Sequence, residues 1–301
     1  MKSTNSLTLT LKPRSDKAKI VAEIGCNHKG DMEIAKEMIK MAAVFCGADY
    51  VKFQKRSPRE LLSEEQYNSP HPNPANSYGK TYGEHRENLE FGISQHNELV
   101  EECKKWGIGY SCSVWDLTSA KEIASLEPDF IKVPSATNTN CDVLNFLCDN
   151  YAGDIHLSLG MTTDKEKSWI YELFNRKDRL SSLILYHTTS GYPVDFDDLC
   201  LLEISKLIAD FKDDVKGYGF SGHHLGIFSD VIAYTLGAQW IERHFTLDRT
   251  WKGTDHAASL EPDGLRRVVR DVKNAQKTLS FKSSQILPVE ESNREKLKWK
   301  Q

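Results

Sequence analysis

Short apolar runs recur along this chain, and a stretch with helical periodicity follows most of them. About eight such runs lie between Lys19 and Phe245, and most are apolar on both faces. Strands buried on both faces are typical of a parallel sheet. Alternation of such strands with helices predicts an α/β fold, and about eight units predict a (β/α)₈ TIM barrel.

A doubly wound open sheet is the alternative arrangement of alternating strands and helices. That fold usually carries a glycine-rich phosphate loop after its first strand. The corresponding turn here reads GCNHKGD at residues 25–31 and contains no GxGxxG pattern. The barrel is therefore favoured over the open sheet.

The pattern divides the chain into three parts. Residues 1–18 are predicted to be an N-terminal β extension, because SLTLTLK at residues 6–12 alternates as a short strand does. Residues 19–281 are predicted to form the barrel domain, and residues 282–301 a polar C-terminal tail.

Residues 55–93 are longer than an ordinary connection between a strand and a helix of a barrel. They carry Tyr67, Tyr78, Tyr82 and His85 among several prolines. Long segments inside compact domains tend to be functional or disordered. The aromatic content favours an ordered lid over the mouth of the barrel.

Composition excludes several classes of partner. The net charge is -4 and no long run of one sign occurs, so neither nucleic acid nor a membrane surface is an expected partner. No apolar stretch reaches the length of a membrane span, and the first residues lack the apolar core of a signal peptide. The odd number of cysteines and the absence of CxxC fit a reducing compartment. We expect a cytoplasmic protein.

Polar side chains gather at the predicted ends of the last two strands. Glu242 and His244 are two residues apart on a predicted strand, so both point to the same side. His223 follows the preceding strand. A carboxylate and an imidazole on a strand so rich in apolar residues are costly unless that face lines a polar site. A metal on His223 and His244, or a bound anion, would remove the cost.

Two lysines lie between apolar neighbours on predicted strands, Lys52 in Tyr-Val-Lys-Phe and Lys132 in Phe-Ile-Lys-Val. A lysine buried without a partner loses its charge or destabilises the fold. Two of them at one barrel mouth indicate a bound anion. Structural ion pairs with Glu23 or Glu242 are one alternative. A Schiff-base lysine, as in aldolase barrels, is another, and borohydride trapping with pyruvate would distinguish it.

Short motifs recur along the chain between about residues 19 and 280. They are AEIGCNHKGD at 22–31, VKFQ at 51–54, GKTYGEHR at 79–86, KVPS at 132–135, LSLGM at 157–161, SGYP at 190–193, GFSGH at 219–223, IERHFT at 241–246, GTDH at 253–256 and SLEP at 259–262. In their order and spacing these motifs resemble those of the sialic acid synthase family, and only their combination is specific.

The resemblance implies condensation of phosphoenolpyruvate with an N-acylated amino sugar. The products are a nine-carbon 2-keto-3-deoxy sugar acid and phosphate, and a divalent metal, Mn²⁺ or Mg²⁺, is bound by His223 and His244. The implied catalytic residues are Glu23, Lys52, Lys132 and Glu242. The phosphoenolpyruvate anion is expected on the two lysines and on Ser135, Ser158, Ser190 and Ser221. The sugar hydroxyls are expected on Gln54, Asn76, Tyr192 and Asp255.

The chain departs from the family pattern at a few positions. Gly222 stands where the family has an aspartate, and His224 follows His223, so we expect His224 to assist the metal instead. After Phe281 the chain is too short for the family's C-terminal antifreeze-like domain. We therefore expect either that the domain comes from a separate protein or that the substrate does not need it, and the family's homodimer is less firmly implied. A non-catalytic barrel that binds a sugar or a partner is the alternative from a different class.

Overall fold

The computed structural model describes residues 17–299 of the chain. Over that range the backbone forms one closed barrel of parallel strands with helices around it. The predicted (β/α)₈ TIM barrel is confirmed, and the open-sheet alternative is wrong because the last strand pairs with the first. The strand predicted at residues 6–12 lies outside the described residues.

Each strand pairs in parallel with its neighbours in sequence order. The strands of the described range are β1 (Lys19–Gly25), β2 (Tyr50–Lys55), β3 (Gly109–Val114), β4 (Phe130–Val133), β5 (Asp154–Ser158), β6 (Leu183–Thr188), β7 (Gly217–Gly222) and β8 (Trp240–His244). The α-helices of the same range are α1 (Met32–Lys40), α2 (Pro58–Leu61), α3 (Glu64–Asn68), α4 (Tyr82–Leu89), α5 (Ile93–Trp106), α6 (Leu117–Ala124), α7 (Cys141–Asn150), α8 (Asp164–Arg176), α9 (Leu202–Phe211), α10 (Phe228–Leu236), α11 (Pro262–Thr278) and α12 (Pro288–Leu297).

Local capping explains where the first helix begins and ends. The Asp31 carboxylate accepts hydrogen bonds from the backbone N–H groups of Glu33 and Ile34, which satisfies two donors of the first turn. Gly47 ends the helical segment in a left-handed conformation with φ 71°. Both ends agree with the sequence pattern, but the last turns, Met41–Cys46, are π-helical.

The start of α9 differs from the sequence pattern. The sequence pattern predicts a helix over residues 197–211, whereas the structure has a short 3₁₀ turn at Phe196–Asp198 and begins α9 only at Leu202. Cys200 between them has φ 46°, which a continuous α-helix does not allow. The helix is therefore delayed by one turn.

Aromatic rings close the barrel beneath its polar layers. Tyr50, Phe130 and Trp240 open β2, β4 and β8, and their ring centroids are 5.1 to 5.5 Å apart. The His156 imidazole stacks on Phe130 with a centroid distance of 3.8 Å and meets Trp240 edge-on. We call these four rings the aromatic floor. It provides an apolar, water-poor base for whatever lies above.

The next layer toward the carboxyl ends of the strands is charged. Lys52, Lys132, Tyr186 and Glu242 come from β2, β4, β6 and β8, and all four are buried. Lys52, Lys132 and Glu242 each lie two residues after a residue of the aromatic floor, so they point inward one layer above it. Tyr186 on β6 lies in the same layer. The position opposite Tyr186 must be a glycine, since a Cβ at Gly219 would lie 2.5 Å from the tyrosine ring.

Residues 55–93 contain more regular structure than the sequence pattern indicates. They form α2, α3, α4 and a 3₁₀ turn at Pro74–Asn76. The Tyr78 hydroxyl donates to the carbonyl of Lys252 at 2.5 Å, which ties this segment to the connection after β8. The segment therefore crosses the mouth of the barrel, as expected for a lid.

The C-terminal part carries one helix that the sequence analysis did not assign, α12, within the predicted tail at residues 282–301. Among the helices of residues 17–299, none combines the length and the apolar character that crossing a bilayer requires.

Candidate active site

A cavity of about 360 Å³ opens at the carboxyl ends of the strands. That end is where barrel enzymes place their active sites, and the volume is typical of a small-molecule site. Most of the residues singled out from the sequence line this cavity. They are Glu23, Lys52, Gln54, Lys132, Ser135, Ser158, Ser190, Tyr192, Ser221, His223, Glu242, His244 and Asp255.

Asn76 does not join this group. The cavity lining of the described chain excludes it, and it ends the 3₁₀ turn Pro74–Asn76 on the lid. The expected contact between Asn76 and a sugar is therefore not supported by its position. The lid reaches the cavity through His71, Tyr82, His85 and Arg86 instead.

Two lysines and two glutamates form a buried charge cluster at the base of the cavity. The Lys132 ammonium lies 3.0 Å from Glu242 Oε2, and the Lys52 ammonium contacts the Glu23 carboxylate and lies 3.8 Å from Glu242 Oε1. Lys52 also donates to Ser113 Oγ at 2.6 Å, and Glu242 accepts from the Ser221 hydroxyl at 3.0 Å. The ion pairs considered from the sequence are thus present.

Burial above the aromatic floor shifts the pKa values of several of these groups. Burial raises the pKa of Glu23 to about 8, against the lowering effect of Lys52. Burial also lowers the pKa of Lys132 to about 8, although Glu242 opposes this. Glu242 is the shared partner of both lysines. Burial alone would raise its pKa, but Lys132 and Lys52 lower it overall. Glu23 and Lys132 can therefore change protonation state near neutral pH, which suits groups that handle protons and anions.

Lys132 has a second contact that fixes its position. Its ammonium lies 3.5 Å from the centroid of the Tyr186 ring, within the range of a cation–π interaction. The Tyr186 hydroxyl in turn lies 2.9 Å from Nδ1 of His156 in the aromatic floor. Lys132 therefore has a carboxylate on one side and an aromatic face on the other, which orients its amine.

His223 and His244 lie side by side at the ends of β7 and β8, with ring centroids 5.3 Å apart. Burial lowers the pKa of both, that of His223 to about 3, so both imidazoles are neutral. His223 Nδ1 lies 2.9 Å from the Thr189 carbonyl, which leaves Nε2 of that ring as a free lone pair. The buried Nδ1 of His244 has no hydrogen-bond partner in the described structure and lies 3.8 Å from an Asp255 carboxylate oxygen.

These two imidazoles fit a divalent metal. Both are neutral, one is oriented by a backbone carbonyl as metal-bound histidines usually are, and the other has an unsatisfied buried nitrogen. No group of three or more His, Cys, Asp or Glu side chains within residues 17–299 is arranged to hold a metal. The two imidazoles would supply two nitrogen ligands, and substrate or water would fill the remaining positions.

His224 does not face the cavity as the sequence analysis expects. His224 lies two residues beyond the end of β7, and its ring is buried against Arg243 and Asp230. Arg243 donates to an Asp230 carboxylate oxygen at 2.5 Å and to the His224 carbonyl at 2.6 Å. His224 thus belongs to a buried polar cluster behind the site, and its expected assistance to a metal is wrong.

Three serines and a glycine form a small cradle on the opposite side of the cavity. Ser135, Ser158 and Ser190 follow or end β4, β5 and β6, and the Gly160 N–H donates to Ser135 Oγ at 3.0 Å. A Cβ at Gly160 would lie 2.7 Å from Ser135 Oγ and closer still to Ser190 Oγ. Glycine at this position keeps open a space that hydroxyl donors surround, which suits the oxygens of an anion.

Several cavity residues were missed by the sequence analysis. Ser113, one residue before the end of β3, and Thr188, the last residue of β6, face inward, which the period of two could have revealed. Arg56 lies one residue beyond β2, pairs with Glu90 and donates to Cys26 Sγ at 3.0 Å. No periodic signal marks Arg56, because it lies outside the strand.

A sequence profile of the NeuB family matches residues 38–284. Human N-acetylneuraminate-9-phosphate synthase is 39% identical over 92% of this chain and 76% of its own length. N,N'-diacetyllegionaminic acid synthase of Campylobacter jejuni is 33% identical over 87% of this chain and 78% of its own length. The crystal structure of the N-acetylneuraminic acid synthetase from Leptospira borgpetersenii in complex with citrate superposes with a TM-score of 0.78, 26% identity and coverage of 95% and 94%.

Proposed function

The chain belongs to the NeuB family, and on that premise we propose that it condenses phosphoenolpyruvate with an N-acylated amino sugar. The products are a nine-carbon 2-keto-3-deoxy sugar acid and inorganic phosphate. The observation that carries the proposal is the buried pair of lysines beneath two neutral histidines in one cavity. A single site thereby offers positive charge for an anion and ligands for a metal.

The phosphoenolpyruvate anion is held by the base of the cavity and by the serine cradle. Lys52 and Lys132 supply the charge, and the hydroxyls that surround the anion belong to Ser135, Ser158, Ser190 and Ser221. Glu242 pairs with both lysines and orients their ammonium groups. An anion bound between Lys52 and Lys132 would share their positive charge with the Glu242 carboxylate.

A divalent metal on His223 and His244, which we propose to be Mn²⁺ or Mg²⁺, would polarise the aldehyde of the sugar. The chain orients that region through the Thr189 carbonyl on His223 and through Asp255 beside His244. Gln54, Tyr192 and Asp255 line the space next to the histidines and would hold the sugar hydroxyls. The aldehyde carbon is thereby directed toward C3 of the enol.

Glu23 is the proton carrier of the proposed reaction. C3 of the enol attacks the aldehyde carbon, water adds at C2, and the tetrahedral intermediate loses phosphate. With a pKa raised by burial to about 8, Glu23 can hold or release a proton near neutral pH. Its contact with Lys52 links that proton to the charge of the bound anion.

One observation favours a second candidate, a Schiff-base aldolase. The lowered pKa of Lys132, about 8, would leave part of its amine unprotonated and nucleophilic. However, that amine lies between Glu242 and the Tyr186 ring, both of which favour the ammonium form. We therefore rank the aldolase below the synthase.

We expect phosphate release from phosphoenolpyruvate only when an aldose and a divalent metal are both present. The assay uses Mn²⁺ with free and 6-phosphorylated N-acetylmannosamine, mannose and a diacetamido-dideoxy sugar. Chelation by EDTA should abolish release, and added Mn²⁺ or Mg²⁺ should restore it. Release that needs no aldose, or that persists in excess EDTA, would contradict the proposal.

We also expect Gly160→Ala to weaken phosphoenolpyruvate binding by about 10-fold or more, because the added methyl group would occupy the cradle between two serine hydroxyls. The readout is the KM for phosphoenolpyruvate. Gly92→Ala is the matched control, since a Cβ there would meet only the Gln95 side-chain oxygen, at 3.8 Å. Equal KM values for the two variants would place the anion elsewhere.

Two properties remain predictions: a cytoplasmic location and a homodimer. Light scattering of the purified chain would test the second.

A further inference from the structure

The two histidines of the proposed metal site lie just beyond the last paired residues of β7 and β8. The ladder between these strands ends at Gly222 and Arg243, one residue before His223 and His244. His244 still has a backbone neighbour on its other side, since it pairs with Glu23 of β1. His223 has left the ladder, so its position relative to His244 must be set by other contacts.

Arg243 supplies such contacts from the outer side of the barrel wall. Its two neighbours on β8 line the cavity, so its own side chain points outward. One terminal nitrogen, Nη2, donates to the His224 carbonyl at 2.6 Å, and the other, Nη1, donates to the Gly226 carbonyl at 2.9 Å. A single guanidinium therefore joins β8 to the segment that follows β7.

The same guanidinium is neutralised by the helix that packs behind it. Arg243 Nη1 also donates to a carboxylate oxygen of Asp230, in the first turn of α10, at 2.5 Å. It lies 3.1 Å from Nε2 of His224, which accepts there because every guanidinium nitrogen is a donor. All three side chains are fully buried. We call Arg243, Asp230 and His224 the Arg243 cluster.

Stability alone does not account for the Arg243 cluster. Three of its buried atoms, Arg243 Nε, Asp230 Oδ1 and His224 Nδ1, have no hydrogen-bond partner within residues 17–299. Replacing a buried ion pair by apolar residues often leaves stability unchanged or raises it. What the cluster provides instead is a fixed link between two backbone positions, each of which is one residue away from a histidine of the pair.

We propose that Arg243 is a positioning residue, which holds His223 beside His244 so that both imidazoles can bind one divalent metal. This inference rests on the proposed function. On the β6 side, His223 is held by the Thr189 carbonyl, 2.9 Å from its Nδ1, and by the Val194 N–H, which donates to its carbonyl at 3.1 Å. Arg243 completes this support on the β8 side. The separation of the two ring centroids, 5.3 Å, therefore depends on the guanidinium behind them.

The test measures Mn²⁺ affinity in a double variant, Arg243→Met with Asp230→Asn, from the electron paramagnetic resonance signal of free Mn²⁺. Changing both partners leaves no buried charge unpaired, so we expect a urea midpoint close to that of the wild type. Groups that orient metal ligands typically contribute about 10- to 100-fold to metal affinity, and we expect a loss of about that size. The affinity for phosphoenolpyruvate, measured by calorimetry without metal, should stay unchanged, because the lysines and the serine cradle are not altered.

Lys55→Met with Glu122→Gln is the matched control. Lys55 ends β2, is buried and pairs with Glu122 of α6 at 3.2 Å, but it does not line the cavity. Wild-type Mn²⁺ affinity in the Arg243 double variant, or an equal loss in the two double variants, would overturn the inference. If the Arg243 double variant does not fold, Arg243→Lys decides, since one ammonium can replace Nη1 but not Nη2. Weaker Mn²⁺ binding by that variant supports the positioning role, and wild-type affinity overturns it.

Failure of the proposed function would give a different result. A wild type that binds no Mn²⁺ would contradict the metal site itself. The crystal structure of the Arg243 double variant then decides the positioning role without any metal. A changed separation between the rings of His223 and His244 supports the role of Arg243, whereas an unchanged centroid distance of 5.3 Å overturns it.

Discussion

Glu242→Gln should lower the free energy of unfolding by about 3–5 kcal/mol, the usual cost of removing one partner from a buried ion pair. Glu242 is buried and is the common partner of Lys132 and Lys52. Glutamine keeps the shape and the contact with Ser221 but removes the negative charge. Two ammonium groups would then share an apolar barrel with Glu23, whose pKa burial raises. Urea denaturation of the two proteins measures the loss.

Asp149→Asn is the control for this change. Asp149 contacts the Lys177 ammonium through both carboxylate oxygens, at 2.9 and 2.7 Å, but its side chain is half-exposed. Its loss should cost less than about 1 kcal/mol. Phosphoenolpyruvate should also raise the melting temperature of Glu242→Gln more than that of the wild type, since the ligand would supply the missing negative charge. Equal losses in the two variants would show that Glu242 does not hold the charge cluster together.

The protein should lose stability steeply as the pH falls from about 6.5 toward 5. His28, His96 and His156 are buried, and burial lowers the pKa of the first two to about 3 and that of His156 well below its ordinary value. Each would therefore stay neutral in the folded protein while the unfolded chain binds a proton below about pH 6.5. Below about pH 6.5 the unfolded chain binds protons that the folded protein does not bind. The free energy of unfolding is therefore highest above about pH 6.5 and decreases on acidification.

The expected size follows from the number of groups. The slope approaches about 1.4 kcal/mol per pH unit for each group below pH 6.5, so these three histidines contribute about 5 kcal/mol to the loss between pH 6.5 and 5, an appreciable part of a typical stability. Urea midpoints at the two pH values measure it. His96→Asn, which can still accept from the Tyr110 hydroxyl that now lies 2.8 Å from Nδ1, should reduce proton uptake on unfolding by about one. A midpoint that does not change with pH would mean that these imidazoles can be protonated in the folded state.

Strand periodicity predicted part of the site. Glu242 and His244 were predicted to share a face, and the structure places both in the cavity. Side-chain direction alternates along a strand by local geometry alone, so no knowledge of distant contacts is needed. The serines and the residues expected to hold the sugar followed instead from the resemblance to the family. His223 and His224 lie beyond the end of β7, so the strand rule does not decide where their side chains point.

Contacts between distant parts of the chain explain what the sequence did not predict. Asn76 is in a lid whose course depends on contacts such as that between Tyr78 and Lys252, far apart in the sequence. The pairing of Lys132 with Glu242 spans the barrel. Arg56 and Arg86 could be recognised as cavity residues only once the lid was in place. Such pairings arise from tertiary packing, for which no local pattern exists.

The aromatic floor also dictates the order of events in a turnover. With the barrel closed by Tyr50, Phe130, His156 and Trp240, the mouth beneath the lid is the route to the charge cluster. A molecule bound at the lysines must therefore arrive before the sugar covers it. Because the cavity opens at one end only, the two substrates would bind in a fixed order, with phosphoenolpyruvate first. An aldose that enters first would block the path of phosphoenolpyruvate and would therefore inhibit the enzyme at high concentration.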